Sequence, residues 1–224
     1  MSGRKGRVYF DKEPCGTIEE NGEGYVFTYD SAWLAKPGSH PISLSMIELT
    51  SHIRIFPGRD AEGPNPKIIL ISGDKASLFV DVSNSKKQLD DALGYLKKEN
   101  LAPLKYVALT HFHDDHIGNL IYLPEGPELL VSKNTARYLA RASTILSQDQ
   151  DLDLGGYSVR LILVPSLHAK GCLDVLAEGY LFTGDSLYYR QSGSSYYYNA
   201  QIAYEMEKKH RAIPFLKAIG AHER

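Results

Sequence analysis

Hydrophobic and polar positions follow two alternating patterns along most of this chain. Short apolar runs rich in β-branched residues, such as Lys67–Ile71 and Ala76–Asp81, predict buried strands joined by tight turns. Lys86–Glu99 instead repeats leucines at helical spacing, with lysines and aspartates opposite them, which predicts an amphipathic helix. A strand is predicted next, at Tyr106–Thr110. From about residue 51 onward, the pattern indicates strands alternating with helices.

The second half of the chain continues this alternation. A strand is predicted at Leu129–Val131 and a helix at Thr135–Leu146. Gly155-Gly156 and Glu178-Gly179 each separate two apolar runs, which predicts two hairpins. A mostly helical segment, Ala200–Ile219, is expected to break at Pro214. The βα succession therefore occurs twice, around residues 67–135 and 152–220.

The first fifty residues have a different pattern. Arg7–Phe10, Cys15–Glu20 and Tyr25–Tyr29 predict three short strands, with a hairpin turn at Asn21-Gly22. Asp30 is a candidate cap for a helical turn that follows the third strand. We therefore predict two regions, a small β-rich segment at residues 1–50 and the main domain at residues 51–224.

Composition and charge narrow the class of protein. The 224 residues carry 25 basic and 27 acidic side chains, a formal charge of −2, so a nucleic-acid partner is not expected. Two cysteines, Cys15 and Cys172, form no disulfide framework, and the second fits a small core position. No apolar run approaches the ~20 residues of a membrane helix, and no secretory signal is expected. We expect a cytoplasmic protein that acts on a small-molecule substrate and has no membrane partner. The sequence is compatible with a homodimer.

The strongest chemical signal is the run from Thr110 to Gly118, which follows a predicted strand directly. His111 and His113 are two residues apart in extended chain and point to the same side, where they can bind one metal ion. Asp115 and His116 lie where the chain turns toward a helix, within reach of a second ion. A divalent cation resolves the repulsion and desolvation of so many clustered polar groups.

This run resembles the H-x-H-x-D-H signature of the metallo-β-lactamase superfamily, and the likeness extends from about residue 52 to the end. The resemblance implies that Asp81, at the end of an early strand, supports the metal loop from behind. It also implies three further ligands, which are His168 in a P-x-x-H-x-x-G segment, Asp185 in F-T-G-D as the residue bridging both metals, and His222 near the end of the sequence.

The resemblance implies an αββα sandwich, in which two mixed β-sheets pack face to face with helices outside, plus a small N-terminal β extension. The ligands suit two divalent metal ions, with zinc first and iron or manganese as alternatives. Such a pair makes hydroxide available at pH 7. Asp115 is the candidate catalytic residue, since it can hold one ion and orient the nucleophile. Asp114 is expected to face solvent, and His40, His52 and His210 are expected at the surface.

The N-terminal segment resembles the N-terminal region of HipA-type toxin kinases. The shared pattern is a short strand, a turn at Gly16, F-x-Y-D at Phe27–Asp30, W-L at Trp33-Leu34, and P-I-S-L-S at Pro41–Ser45. This segment contains no catalytic group, and the kinase core is absent. The resemblance therefore implies a structural or partner-binding role.

A tyrosine-rich segment after Asp185 is the candidate substrate rim. Five of the fifteen tyrosines lie between Tyr188 and Tyr198. Arg190 can pair with an anionic group, and aromatic rings can line a cleft. The candidate substrate-binding residues are Arg190, Tyr196, Tyr197 and Tyr198, although a buried or partner-facing aromatic cluster would give the same pattern.

Three functions remain open at this point. The first is a binuclear metallohydrolase that acts on a small ester, thioester, lactone or phosphodiester. The second is a mononuclear iron oxygenase acting on sulfur compounds, which would use His111, His113 and Asp185 only. The third is a non-enzymatic, partner-binding protein with a structural metal site.

Overall fold

The computed structural model describes residues 4–10, 12–21, 24–36, 46–58 and 65–222. Contacts divide the chain into two units, Met1–Ser45 and Met46–Arg224. The predicted boundary near residue 50 stays a prediction. Within the described residues, no helix is both long and apolar enough to cross a membrane.

The first unit is a three-stranded antiparallel sheet. Its strands are β1 (Lys5–Phe10), β2 (Glu13–Asn21) and β3 (Gly24–Tyr29), in the order β1-β2-β3. A short helix, α1 (Ser31–Leu34), follows, and its Trp33 is buried. Asp30 precedes α1 as predicted, but its carboxylate accepts from Arg7 at 2.8 Å and makes no capping hydrogen bond. The predicted turn at Gly22 and the P-I-S-L-S motif lie outside the described residues.

The second unit begins with a seven-stranded sheet of mixed direction. Strands β4 to β7 pair antiparallel, and strands β7 to β10 pair parallel, in the spatial order β10-β9-β8-β7-β6-β5-β4. The strands are β4 (Ile47–Glu48), β5 (Ile53–Phe56), β6 (Ile68–Ser72), β7 (Ser77–Val80), β8 (Leu104–Ala108), β9 (Glu128–Ser132) and β10 (Thr144–Leu146).

A five-stranded sheet faces it. Strands β11 to β14 pair antiparallel, and the last strand joins β14 in parallel. The strands are β11 (Gln150–Asp153), β12 (Ser158–Val164), β13 (Cys172–Ala177), β14 (Tyr180–Gly184) and β17 (Lys217–Gly220), and a small separate hairpin consists of β15 (Gln191–Ser192) and β16 (Ser195–Tyr196).

Alternating side chains explain why the first sheet is covered on both faces. Along β6, Ile69 and Ile71 pack into the cluster between the two sheets, whereas Ile68 and Leu70 pack toward the helix side. Both sets are almost fully buried, and each such side chain stabilises the fold by about 1.5–3 kcal/mol. The predicted αββα sandwich is confirmed. The remaining helices are α2 (Lys86–Lys98), α3 (Asp114–Ile117), α4 (Lys133–Ala136) and α5 (Ala200–Arg211).

Two predicted helices are wrong in part. The helix expected over residues 135–146 ends at Ala136, because Thr144–Leu146 pair in parallel with β9 instead. The C-terminal helix ends at Arg211, before Pro214, and Lys217–Gly220 join the second sheet beside β14. In both places, a neighbouring strand edge outweighed local helix propensity.

The surface position predicted for His210 is also wrong. His210 is 7% exposed, and its Nε2 lies 2.9 Å from a carboxylate oxygen of the fully buried Asp174. This pair connects α5 to β13. His52 is partly exposed and lies 2.9 Å from Glu178, and His40 lies outside the described residues. Asp114 is exposed and Cys172 is fully buried, as predicted.

Candidate metal centre

The histidine-rich loop begins at the carboxyl end of β8, beside the end of β7. The two strands are parallel neighbours, with Val80 opposite Ala108, so the residues that follow them lie side by side. Asp81 follows β7, and His111 lies in the loop after β8. The chain then turns into α3 at Asp114. Strand pairing therefore brings the acidic residue behind the histidine loop.

Asp81 holds this loop with both carboxylate oxygens. One oxygen accepts the backbone N–H of Thr110 at 2.8 Å, and the other accepts the Thr110 hydroxyl at 2.7 Å. The second oxygen also lies 2.7 Å from Nδ1 of His116. The φ angle of Asp81 is 58°, in the left-handed region that aspartate tolerates better than most residues. The loop is thus fixed from behind, as the family resemblance implied.

These hydrogen bonds show which ring nitrogen donates a hydrogen bond, and which faces the site, in two buried histidines. Nδ1–H of His116 donates to Asp81. The Thr110 hydroxyl gives its hydrogen to Asp81, so it accepts Nδ1–H of His111 at 3.1 Å. In both rings Nε2 is left to face the site. Second-sphere partners of this kind orient histidines that bind metals.

The second sheet supplies the three other candidate ligands from its own loops. His168 lies between β12 and β13, Asp185 follows β14, and His222 follows β17. Because β14 and β17 are parallel, with Gly184 opposite Gly220, Asp185 and His222 emerge next to each other. The site therefore lies at one edge of the sandwich and takes side chains from both sheets.

All seven predicted ligands meet there, with Asp185 between them. Oδ2 of Asp185 lies 3.3 Å from Nε2 of His168, and 3.5 Å from Nε2 of both His116 and His222. Oδ2 of Asp115 lies 3.3 Å from Nε2 of His222. Ligand atoms within 4.8 Å of one another form one set from His111, His113 and His168 and another from Asp115, His116 and His222. A further set joins Asp185 to one histidine of each, His111 and His116.

Gly184 allows Asp185 to approach the histidine loop. Its φ angle is +51°, and a Cβ at this position would lie 2.4 Å from Oγ1 of Thr110. A larger residue would push β14 away from the loop that Asp81 holds. Glycine is therefore required by both the backbone conformation and the close contact.

His222 lies near the end of the chain, but its backbone is fixed on two sides. The N–H of Ala221 donates to the carbonyl of Gly184 at 3.0 Å, and the Ala221 carbonyl accepts the N–H of Lys67 at 2.8 Å. Nζ of Lys67 also donates to the carbonyl of Gly220 at 3.2 Å. The sequence carries no signal for these contacts, because the partners are 153 residues apart.

The clustered carboxylates and imidazoles shift one another's pKa values. Burial lowers the pKa of His116, but the nearby Asp81 and Asp185 carboxylates outweigh it and raise the pKa to about 10. Hydrogen bonds to Asp115, which has the larger effect, and to Asp185 raise the pKa of His222 to about 9. Burial would raise the pKa of Asp185, yet the adjacent imidazoles hold it far below its ordinary value.

The site has the donor set of a centre for divalent cations. Three buried atoms, Nε2 of His111, Nε2 of His116 and Oδ1 of Asp185, have no hydrogen-bond partner in the described part of the chain. Buried polar atoms are nearly always paired, so these three indicate a ligand. Burial also holds the pKa of His111 well below 6.5, which leaves a neutral imidazole. The residues present therefore fit metal ions that accept imidazole and carboxylate ligands.

A cleft of about 540 Å³ opens beside the first set of histidines. Of the predicted substrate residues, Arg190 and Tyr197 line this cleft. Tyr196 and Tyr198 do not line it and are exposed at 65% and 63%. The structure thus brings two of these four residues to the cleft and leaves the other two on the outer surface.

Two family models match consecutive regions of the chain. Residues 6–63 match the model described as the HipA N-terminal domain, and residues 64–131 match the metallo-beta-lactamase superfamily. The second match contains the whole histidine run. Both resemblances indicated by the sequence motifs are confirmed.

Similar proteins were also found among curated sequences and solved structures. A metallo-beta-lactamase fold-containing protein of Sulfurisphaera tokodaii is 29% identical over 153 residues, which cover 53% of this chain and 56% of that protein. A hydroxyacylglutathione hydrolase of Acidiphilium cryptum is 32% identical over 124 residues, which cover 53% of this chain and 48% of that protein. The chain spans about half the length of these curated relatives.

Among solved structures, a metallo-beta-lactamase from Pontibacter korlensis matches with a TM-score of 0.64 and 16% identity, over 80% of this chain and 91% of that one. Identity at this level shows the fold alone. The family match adds the segment that carries the signature. The chain therefore joins a region similar to the HipA N-terminal domain to a unit with the metallo-β-lactamase fold, whose residues 64–131 match the superfamily of that name.

Proposed function

We propose that this protein is a metal-dependent hydrolase that cleaves a small ester or thioester, with a lactone or a small phosphodiester as alternatives. The observation that carries the proposal is the position of Asp185, whose Oδ2 lies within 3.5 Å of Nε2 of His116, His168 and His222. One carboxylate shared by two sets of ligands is the arrangement that two adjacent cations need.

We expect two divalent ions at this centre, with zinc first and iron or manganese as alternatives. Asp185 would contact both ions. When bound, the pair supplies a water of near-neutral pKa and a positive charge that polarises the scissile bond. The six other ligands would divide between the ions, with His111, His113 and His168 on one and Asp115, His116 and His222 on the other.

The chain's own residues have separate tasks in this reaction. Burial would raise the pKa of Asp115, but contact with His222 holds it below its ordinary value, so its carboxylate is ionised and can accept a hydrogen bond that orients the attacking water. Arg190 and Tyr197 line the cleft beside the histidines and can orient the substrate. Tyr196 and Tyr198 can contribute to this rim only from its outer side.

The relatives support an acyl substrate in particular. Several curated proteins similar to this chain are named hydroxyacylglutathione hydrolase, a thioester hydrolase. The similarity covers about half of each of those proteins, and the proposal is confined to the type of bond that is cleaved. The complete second ligand set favours a binuclear hydrolase over an oxygenase that uses one iron.

The test compares four substrate classes on protein loaded with zinc, iron or manganese. We expect turnover of a thioester or an ester, and we expect His113→Ala to abolish it while the fold is retained, as judged by circular dichroism. Asp114→Asn is the matched control, because this exposed carboxylate lies in the same loop and outside both ligand sets. Turnover that His113→Ala leaves unchanged, or no turnover of any class, would refute the proposal.

A further inference from the structure

The cleft beside the metal centre carries a second concentration of charge, separate from the ligands. Among the described residues that line it are three cationic side chains, Arg137, Lys170 and Arg190, and no aspartate or glutamate. The whole chain has a formal charge of −2, so this local surplus differs in sign from the molecule's net charge. A one-signed lining attracts ligands of the opposite charge.

Arg137 and Lys170 come from two segments that pack tightly together. A Cβ built on Gly171 would lie 2.6 Å from Nδ2 of Asn134, so α4 contacts the loop that carries His168. Asn134 lines the cleft, and Arg137, three positions later in the helical turn, lies on the same side. Lys170 directly precedes Gly171. The two cations therefore reach the cleft from adjacent walls.

Arg190 reaches the cleft from a third segment, at the base of the small hairpin β15–β16. Its backbone carbonyl accepts the N–H of Tyr197 at 2.8 Å, which fixes the start of the hairpin beside the cleft. In the part of the chain that the structure describes, none of the three cationic side chains pairs with a carboxylate. Their charges are therefore available to a ligand.

Apolar side chains line the same cleft as these cations and the histidines. Phe112 and Tyr138 stack with ring centroids 4.0 Å apart and an interplanar angle of 10°, and both line the cleft. Leu167 and Ile202 complete an apolar wall. A ligand that fills this cleft would place a short apolar chain on the wall and an anionic group among the cations.

We infer that Arg137, Lys170 and Arg190 form an anion subsite, and that the substrate is a small ester or thioester with a carboxylate or phosphate group beyond a short apolar chain. This inference rests on the proposed function and specifies its substrate class. Guanidinium groups bind carboxylate and phosphate oxygens through paired, charge-assisted hydrogen bonds, which orient the ligand as well as attract it.

The test measures binding without turnover. N-propylsuccinamic acid and its neutral primary amide, N-propylsuccinamide, share one skeleton, contain no ester or thioester that the protein could cleave, and differ by one charge. Calorimetry on the metal-loaded full chain should show that the acid binds about fivefold to tenfold more tightly than the primary amide. The double variant Arg137→Gln/Lys170→Gln should lose this preference. Lys133→Gln, which removes an exposed charge from α4 outside the cleft lining, should keep it.

A phosphonate of the same chain length separates the two anions, since the tighter of the two acids identifies the group that the subsite prefers. Equal affinity for the acid and the primary amide in the wild-type protein would overturn the inference. So would a preference that the double variant retains, because the carboxylate would then bind elsewhere. Hydrolysis without a charge preference refutes the subsite alone, and a preference without hydrolysis of any substrate class refutes the hydrolase proposal alone.

Discussion

Replacing Asp81 by asparagine should weaken the metal centre without changing any ligand. The substituted side chain keeps its shape and can still accept the N–H of Thr110, now 2.8 Å from Asp81. Its amide nitrogen cannot accept the Thr110 hydroxyl or Nδ1–H of His116, which both lie 2.7 Å from Oδ2 of Asp81. His116 would then lose the partner that directs its Nε2 into the site.

The expected magnitude follows from burial. The side chains of His116 and Asp81 are 0% and 1% exposed, and removing one partner of a buried charged pair costs about 3–5 kcal/mol. We expect a loss of about 3 kcal/mol in the unfolding free energy of the metal-free protein, because asparagine keeps one of the three hydrogen bonds. Second-sphere partners of metal-binding histidines change metal affinity by about 10–100-fold. The Kd of the ion bound by His116 should rise by about that factor.

Two measurements check this prediction. Competition with a chromophoric chelator gives the Kd of each ion, and urea unfolding in the presence of EDTA gives the stability of the metal-free protein. Asp114→Asn removes the same charge from an exposed position in the same loop and should change neither quantity. An Asp81→Asn variant that binds both ions within twofold of the wild-type Kd would show that Asp81 does not support the centre.

Three other changes test separate parts of the site. In the metal-free protein, the raised pKa values of His116, about 10, and His222, about 9, contribute stability that is complete below pH 6.5 and is lost as the pH rises toward 10. The urea midpoint in EDTA should therefore fall between pH 6.5 and pH 10. Zinc added at pH 7.5 should release about two protons per chain to an indicator dye. A midpoint that does not change with pH, together with no proton release, would contradict both raised pKa values. Gly184→Ala should cost about 1–3 kcal/mol in urea unfolding because of its contact with Thr110, and an unchanged midpoint would refute that packing. Tyr197→Ala should raise KM more than it lowers kcat, and the reverse result would speak against a cleft wall.

Local sequence pattern predicts most strands of the sandwich because these strands are buried and have apolar residues next to one another, whereas their arrangement as a sandwich came from the family resemblance. Apolar runs such as β6 and β7 carry the signal of strands covered on both faces, and glycine pairs mark the hairpins. The loop from His111 to His116 is also visible, since all four of its ligands lie within six residues. These elements can be predicted because the residues that determine each of them are neighbours in the sequence.

Long-range contacts account for the rest. The helix predicted over residues 135–146 is wrong because Thr144–Leu146 pair with β9, and no local signal marks that pairing. The contacts from Lys67 to the segment before His222 join residues far apart in sequence. Arg137 and Lys170 reach the cleft only because α4 packs on the loop after β12. Contacts of this kind can be identified only from the three-dimensional arrangement of the two sheets.

The most direct test of the central claim is the metal content of the purified full chain. Elemental analysis after zinc loading and gel filtration should give two ions per chain, and about one or fewer in Asp185→Asn, because this carboxylate lies between both ligand sets. His222→Ala should lose one ion and retain the other. A wild-type ratio of one or zero, or a ratio of two that Asp185→Asn leaves unchanged, would contradict a centre in which Asp185 joins two metal ions.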